Sequence, residues 1–135
     1  MLHTYQPSGE GVAPDSGGRV MIIDDEESVR AVLVRMVARL GFSVCEADDG
    51  PAGLAALGEA EGDLVALLVD MTMPHMSGVD VARAALAMRP GLPVVLMSGH
   101  PSESLVRDHG LAGQVRFLQK PFTYTMVRDL LCRGA

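Results

Sequence analysis

No apolar run in this chain reaches the roughly 20 residues that a helix needs to span a bilayer. Residues 1–18 also lack the basic-then-apolar opening of a secretory signal. Membrane insertion is therefore not expected, and the chain reads as cytoplasmic. Cysteine is scarce: Cys45 and Cys132 are far apart and fit neither a CxxC pair nor a zinc spacing. They read as two reduced thiols in or near a core. Basic charge is also short, with 11 Lys and Arg against 17 Asp and Glu and a formal net charge of −6. Phosphate backbones would repel such a domain, so direct nucleic-acid binding is not expected, whereas a metal cation or a basic partner suits it. There is no internal repeat.

What is present is enough for one domain. The chain has 135 residues, 48% of them hydrophobic and 21% charged, a mixture that supports a core on two sides of a sheet. Residues 1–18 are rich in Gly, Pro, Ser and polar side chains without apolar periodicity and read as a flexible tail or linker. The folded domain is expected over 19–135.

From there, short apolar runs alternate with helical patterns. Residues 20–23, 42–47, 64–69, 93–97 and 115–118 read as strands, and 27–40, 50–59, 78–88, 102–109 and 123–131 as helices. The first helix carries Val29, Val32, Leu33, Met36, Val37 and Leu40 at helical spacing, with Gly41 as its stop and Thr123 as the cap of the last helix. Strands that are apolar throughout are covered on both faces, which marks a doubly wound α/β fold with a five-stranded parallel sheet. Ligands of such sheets bind beyond the carboxyl ends of the strands.

The polar residues fall at those ends. Asp24 and Asp25 follow the first strand, Asp70 ends the third, Ser98 follows the fourth and Lys120 the fifth. The second strand ends in Glu46-Ala47-Asp48-Asp49 and contributes nothing as sharp. Crowded carboxylates repel one another unless a cation neutralises them, and an oxygen ligand set suits Mg2+ or Mn2+. A hydroxyl at Ser98 and an ammonium at Lys120 suit the oxygens of an anion held at that cation. A phosphoryl group on Asp70 would meet all three, with Asp70 as the nucleophile. Taken singly, each residue is equally a cap, a turn or a solvated lysine; together they share one end of one sheet.

The segments Val20-Met21-Ile22-Ile23-Asp24-Asp25-Glu26, Leu67-Leu68-Val69-Asp70-Met71-Thr72-Met73-Pro74, Met97-Ser98-Gly99 and Phe117-Leu118-Gln119-Lys120-Pro121-Phe122 resemble the receiver domains of two-component response regulators. The resemblance implies a CheY-like, flavodoxin-like strand order of 2-1-3-4-5. It implies that Asp70 takes phosphate from a phosphohistidine on a sensor histidine kinase or a histidine phosphotransfer protein. Asp24, Asp25 or both would hold the metal, Asp25 favoured as direct ligand, with Asp70 and the backbone carbonyl of Thr72 completing the set. Ser98 and Lys120 would contact the phosphoryl group, and Phe117 would be the switch aromatic that follows Ser98. The Lys120–Pro121 bond would be cis, and Gly99 would keep space for the phosphate. The helix at 102–109, the last strand and the last helix would form the responsive face and a possible homodimer contact.

The Ser98-Gly99 pair and the segment from Arg116 to Phe122 look most like receivers fused behind sensor kinases, so a C-terminal piece of a hybrid histidine kinase is one expectation and a stand-alone regulator the other. Two further readings stay open: a degenerate receiver acting only as an interaction module, and a magnesium-dependent aspartyl-phosphate hydrolase. The hydrolase would need a second acid where Thr72 stands.

Overall fold

The computed structural model describes residues 2–5, 18–59, 64–99, 111 and 113–133. Its strands are β1 (Leu2–Tyr5), β2 (Arg19–Ile23), β3 (Ser43–Ala47), β4 (Leu64–Asp70), β5 (Val94–Ser98) and β6 (Val115–Gln119). Helices α1 (Glu27–Arg39), α2 (Gly50–Glu59), α3 (Gly78–Met88) and α4 (Tyr124–Arg128) alternate with them, and α4 widens into a π-helical turn at Asp129–Arg133. The sheet order is β1-β3-β2-β4-β5-β6. The five strands from β2 onward are parallel and follow the expected order.

β1 departs from expectation. It lies within the segment read as a flexible tail, yet it pairs antiparallel with β3, from Leu2 opposite Ala47 to Tyr5 opposite Val44. Without β1, one side of β3 would offer unpaired backbone donors and acceptors, and an extended tetrapeptide with Thr and Tyr can satisfy them. The expected helix at 102–109 lies outside the described residues.

Alternation along the parallel strands sends side chains to two separate cores. Met21, Ile23, Leu67, Val69, Val94 and Leu96 pack under α2 and α3. Val20, Ile22, Val44, Leu68, Val95 and Met97 pack with Leu33, Val34 and Val37 of α1 and Val127 of α4. Fully buried side chains such as Leu67, Leu68 and Leu96 each contribute roughly 1.5–3 kcal/mol. Cys45 is buried as expected, whereas Cys132 is exposed.

Local chemistry sets the element ends. Gly41 takes a φ of 105° just past α1, a conformation that suits glycine. Ser77 caps α3 by accepting from the Asp80 amide at 3.2 Å, and Thr123 caps α4 by accepting from the Met126 amide at 3.2 Å. α3 starts tight against the end of β4: a Cβ at Gly78 would collide with the backbone of Asp70 and Met71. The buried face of α1 differs from the expected stripe, since Arg30 points inward while Val32 is 46% exposed.

Candidate functional site

The carboxyl ends of the parallel strands gather the polar residues at one edge. β2 runs into Asp24, fully buried, and then into exposed Asp25. Asp70 is the last residue of β4 and only 5% exposed. Ser98 ends β5, half-buried, and Lys120 immediately follows β6. The Lys120 amide donates to the Ser98 carbonyl at 2.8 Å. The Lys120–Pro121 peptide is cis, as the sequence implied.

One ligand oxygen from each of Asp24, Asp25 and Asp70 lies within 4.8 Å of the other two. The Lys120 ammonium donates to Asp70 Oδ1 at 3.2 Å and to Asp24 Oδ2 at 3.4 Å. The other Asp24 oxygen accepts from the Glu26 amide at 2.9 Å, closing a turn into α1. The Asp24 amide donates to the Ala47 carbonyl at 3.2 Å, which ties this turn to the end of β3.

Burial pushes the Asp24 carboxyl above the ordinary carboxylate range, partly opposed by the Glu26 amide and the Lys120 charge. Burial likewise raises Asp70, and the neighbouring Asp24 carboxylate adds to it. Lys120 and the Thr72 amide pull Asp70 back down. Burial works against the Lys120 charge, yet the two carboxylates more than offset it and hold the ammonium above its usual pKa. The cluster is thus short of positive charge. Its donor set is three carboxylates, two of them buried and proton-retentive, which fits a hard divalent cation such as Mg2+ or Mn2+.

The other expected residues lie in more ordinary settings. Thr72 is exposed, two residues beyond Asp70. Phe117 is half-buried and packs against the α2–α3 core rather than into the acidic cluster. A Cβ on Gly99 would meet nothing within 4 Å, so among the described residues no close contact demands glycine there. A cavity of about 740 Å3 lies at the opposite end of the sheet, where Phe42, Ala66, Leu92 and Val95 line it.

Two residues escaped the sequence reading. Arg30 of α1 is buried, with Nε donating to Glu46 Oε1 at 2.7 Å and Nη1 to the Asp24 carbonyl at 2.6 Å. The end of β3 thus reaches the Asp24 turn indirectly, through Glu46 and Arg30. The available signal was the spacing of Arg30 with Leu33, Val34 and Val37, which places an arginine on the inward face of α1.

The chain is similar to known proteins. The profile of the family described as response regulator receiver domain matches residues 20–131. The chain is 30% identical to the response regulator receiver protein CpdR of Brucella abortus, over 84% of this chain and 90% of that protein. It is 32% identical to the transcriptional regulatory protein FixJ of Rhizobium meliloti over 86% of this chain, and there spans 56% of the relative's length. Among solved structures, chemotaxis protein CheY4 of Vibrio cholerae superposes with a TM-score of 0.80 at 23% identity, covering 89% of this chain and all of that one. The receiver domain of sensor histidine kinase PA1611 from Pseudomonas aeruginosa, with a magnesium ion coordinated in its active-site cleft, superposes with a TM-score of 0.75 at 21% identity, covering 89% of this chain and 100% of that one.

Proposed function

This chain belongs to the response regulator receiver domain family of two-component systems, and from that premise we propose that Asp70 accepts a phosphoryl group and that the chain changes conformation in response. The observation that carries the reading is the buried Asp70 carboxylate beside Asp24, with one lysine ammonium bridging both at 3.2 and 3.4 Å. The donor would be a phosphohistidine on a sensor histidine kinase or a histidine phosphotransfer protein. An Asp70 carboxylate oxygen attacks phosphorus, the nitrogen–phosphorus bond breaks, and the imidazole leaves with its electron pair.

Asp24, Asp25 and Asp70, with the carbonyl of Thr72, would hold Mg2+ or Mn2+. When bound, the ion neutralises the acids and the phosphoryl oxygens. Lys120 supplies a fixed positive charge to the transferring group, and Ser98 supplies a hydroxyl from the neighbouring strand end. Closure of Ser98 and Lys120 on the phosphoryl oxygens would favour one state of the β5 end, with Phe117 following Ser98. Partners or a second copy would read the β6–α4 side. A cytoplasmic location fits a chain in which no described helix is long and apolar enough to cross a membrane. The similarity to sensor kinase CckA of Brucella abortus, 28% identical over 83% of this chain and 12% of that protein, supports a hybrid-kinase parent beside a stand-alone regulator.

Intact mass after incubation with acetyl phosphate and Mg2+ tests the proposal. The expected result is one added phosphoryl group on wild type, none on Asp70→Asn, and none after chelation of the ion. A folded wild type that binds Mg2+ and gains no phosphoryl group from either acetyl phosphate or a phosphorylated histidine donor overturns it in favour of an interaction module.

A further inference from the structure

A buried arginine needs a reason, because an unpaired guanidinium in a core is costly and a hydrophobic residue would pack α1 equally well. Arg30 occupies the same inward face as Leu33, Val34 and Val37. It spends two donors of one planar group on two different elements: Nε on Glu46 of β3 and Nη1 on the Asp24 carbonyl. Glu46 is itself held in the sheet on both sides, opposite Ile22 of β2 and His3 of β1. The Asp24 turn is thus gripped twice from β3, through the Ala47 carbonyl to its amide and through Glu46 and Arg30 to its carbonyl.

We propose that Arg30 and Glu46 form a clamp that positions the Asp24–Asp25 turn for cation binding without touching the ion or the phosphoryl group. The inference rests on the cation-binding reading of the acidic cluster given above. Its physical basis is orientation. Asp24 and Asp25 must turn charged oxygens toward Asp70 against mutual repulsion, and a turn free to rotate would relax away from that arrangement. Fixing the carbonyl of Asp24 fixes the peptide plane that leads into Asp25. The rigid fork of arginine can serve both acceptors at once, whereas the point charge of lysine can keep Glu46 but not both. Supporting residues of this kind typically change metal affinity by roughly 10–100-fold when altered.

The test uses the 135-residue chain with Mn2+ as probe, free ion being counted by electron paramagnetic resonance. Arg30→Lys and Glu46→Gln are compared with wild type and with Arg35→Lys, an exposed change on the same helix. The expected result is Mn2+ affinity lowered roughly tenfold or more in Arg30→Lys and less in Glu46→Gln. Arg35→Lys should match wild type. In ion-free protein the Glu26 amide, which donates to Asp24, should exchange its hydrogen faster in Arg30→Lys. Phosphorylation from acetyl phosphate should recover at saturating Mn2+, a split that loss of folded protein would not produce. A folded Arg30→Lys that binds Mn2+ as wild type does refutes the clamp alone. If Arg30→Lys does not fold, unchanged affinity in Glu46→Gln refutes it equally. A wild type that takes up no Mn2+ removes the cation-binding reading and the clamp together.

Discussion

The two ends of the parallel sheet are built on opposite principles. The carboxyl end crowds Asp24, Asp25 and Asp70 around a single bridging lysine, an arrangement that costs stability through burial and repulsion. The amino end holds a cavity lined mainly by apolar side chains, Phe42 and Leu92 among them. The electrostatic cost is therefore concentrated at the candidate site, and the packing of the two cores offsets it. Changes at the first end should alter chemistry more than folding, and changes at the second should do the reverse.

The largest expected effect breaks the first end. Lys120→Ala removes the charge shared by Asp24 and Asp70 and should slow phosphorylation by acetyl phosphate roughly 100- to 1000-fold, about 2.7–4 kcal/mol of barrier, read from the time course of mass gain. Next, Leu92→Ala at the cavity should lower stability by roughly 2 kcal/mol in urea unfolding while the phosphorylation rate per folded molecule stays unchanged; a slowed rate would show that the two ends are coupled. Addition of Mg2+ at ten times its dissociation constant should stabilise wild type by about 1.4 kcal/mol, read as a higher midpoint of thermal unfolding, with no such gain in an Asp24→Asn, Asp25→Asn double variant.

The smallest effect is the pH dependence. Asp24 and Asp70 hold protons in the folded chain above the pKa of 3.8 that each has when free. As pH rises from there through their raised values, the unfolded state releases protons that the folded state still binds, so their contribution to stability falls. In ion-free buffer Asp70→Asn should reduce this loss, so the stability difference between variant and wild type should grow in the variant's favour across that window. A difference that does not vary with pH would mean that Lys120 already neutralises the pair.

The layout was legible in the sequence because its signals are local or follow from topology. Runs such as Leu67-Leu68-Val69 announce strands covered on both faces, and Gly41 and Thr123 mark helix ends by their own chemistry. The convergence of Asp24, Asp70 and Lys120 follows from parallel strands alone. Less legible were features that depend on a remote partner. Arg30 and Glu46 look like solvated charges until α1 is laid on β3, and Val32 fits the apolar stripe although its direction takes it outward. Gly78 reads as an ordinary helix start, yet what fixes it is the backbone of Asp70 a few ångströms away. β1 was hidden because four residues carry no periodicity and their place is set by the open side of β3.

That strand adds an antiparallel margin to the parallel trunk. β1 is short and outermost, and besides pairing with β3 it meets α2. A four-residue edge strand has few backbone bonds to break, so its opening should cost well below global unfolding, which hydrogen exchange of the β3 amides would show. β1 thus covers the outer side of β3, the strand whose Ala47 carbonyl holds the Asp24 amide on its inner side.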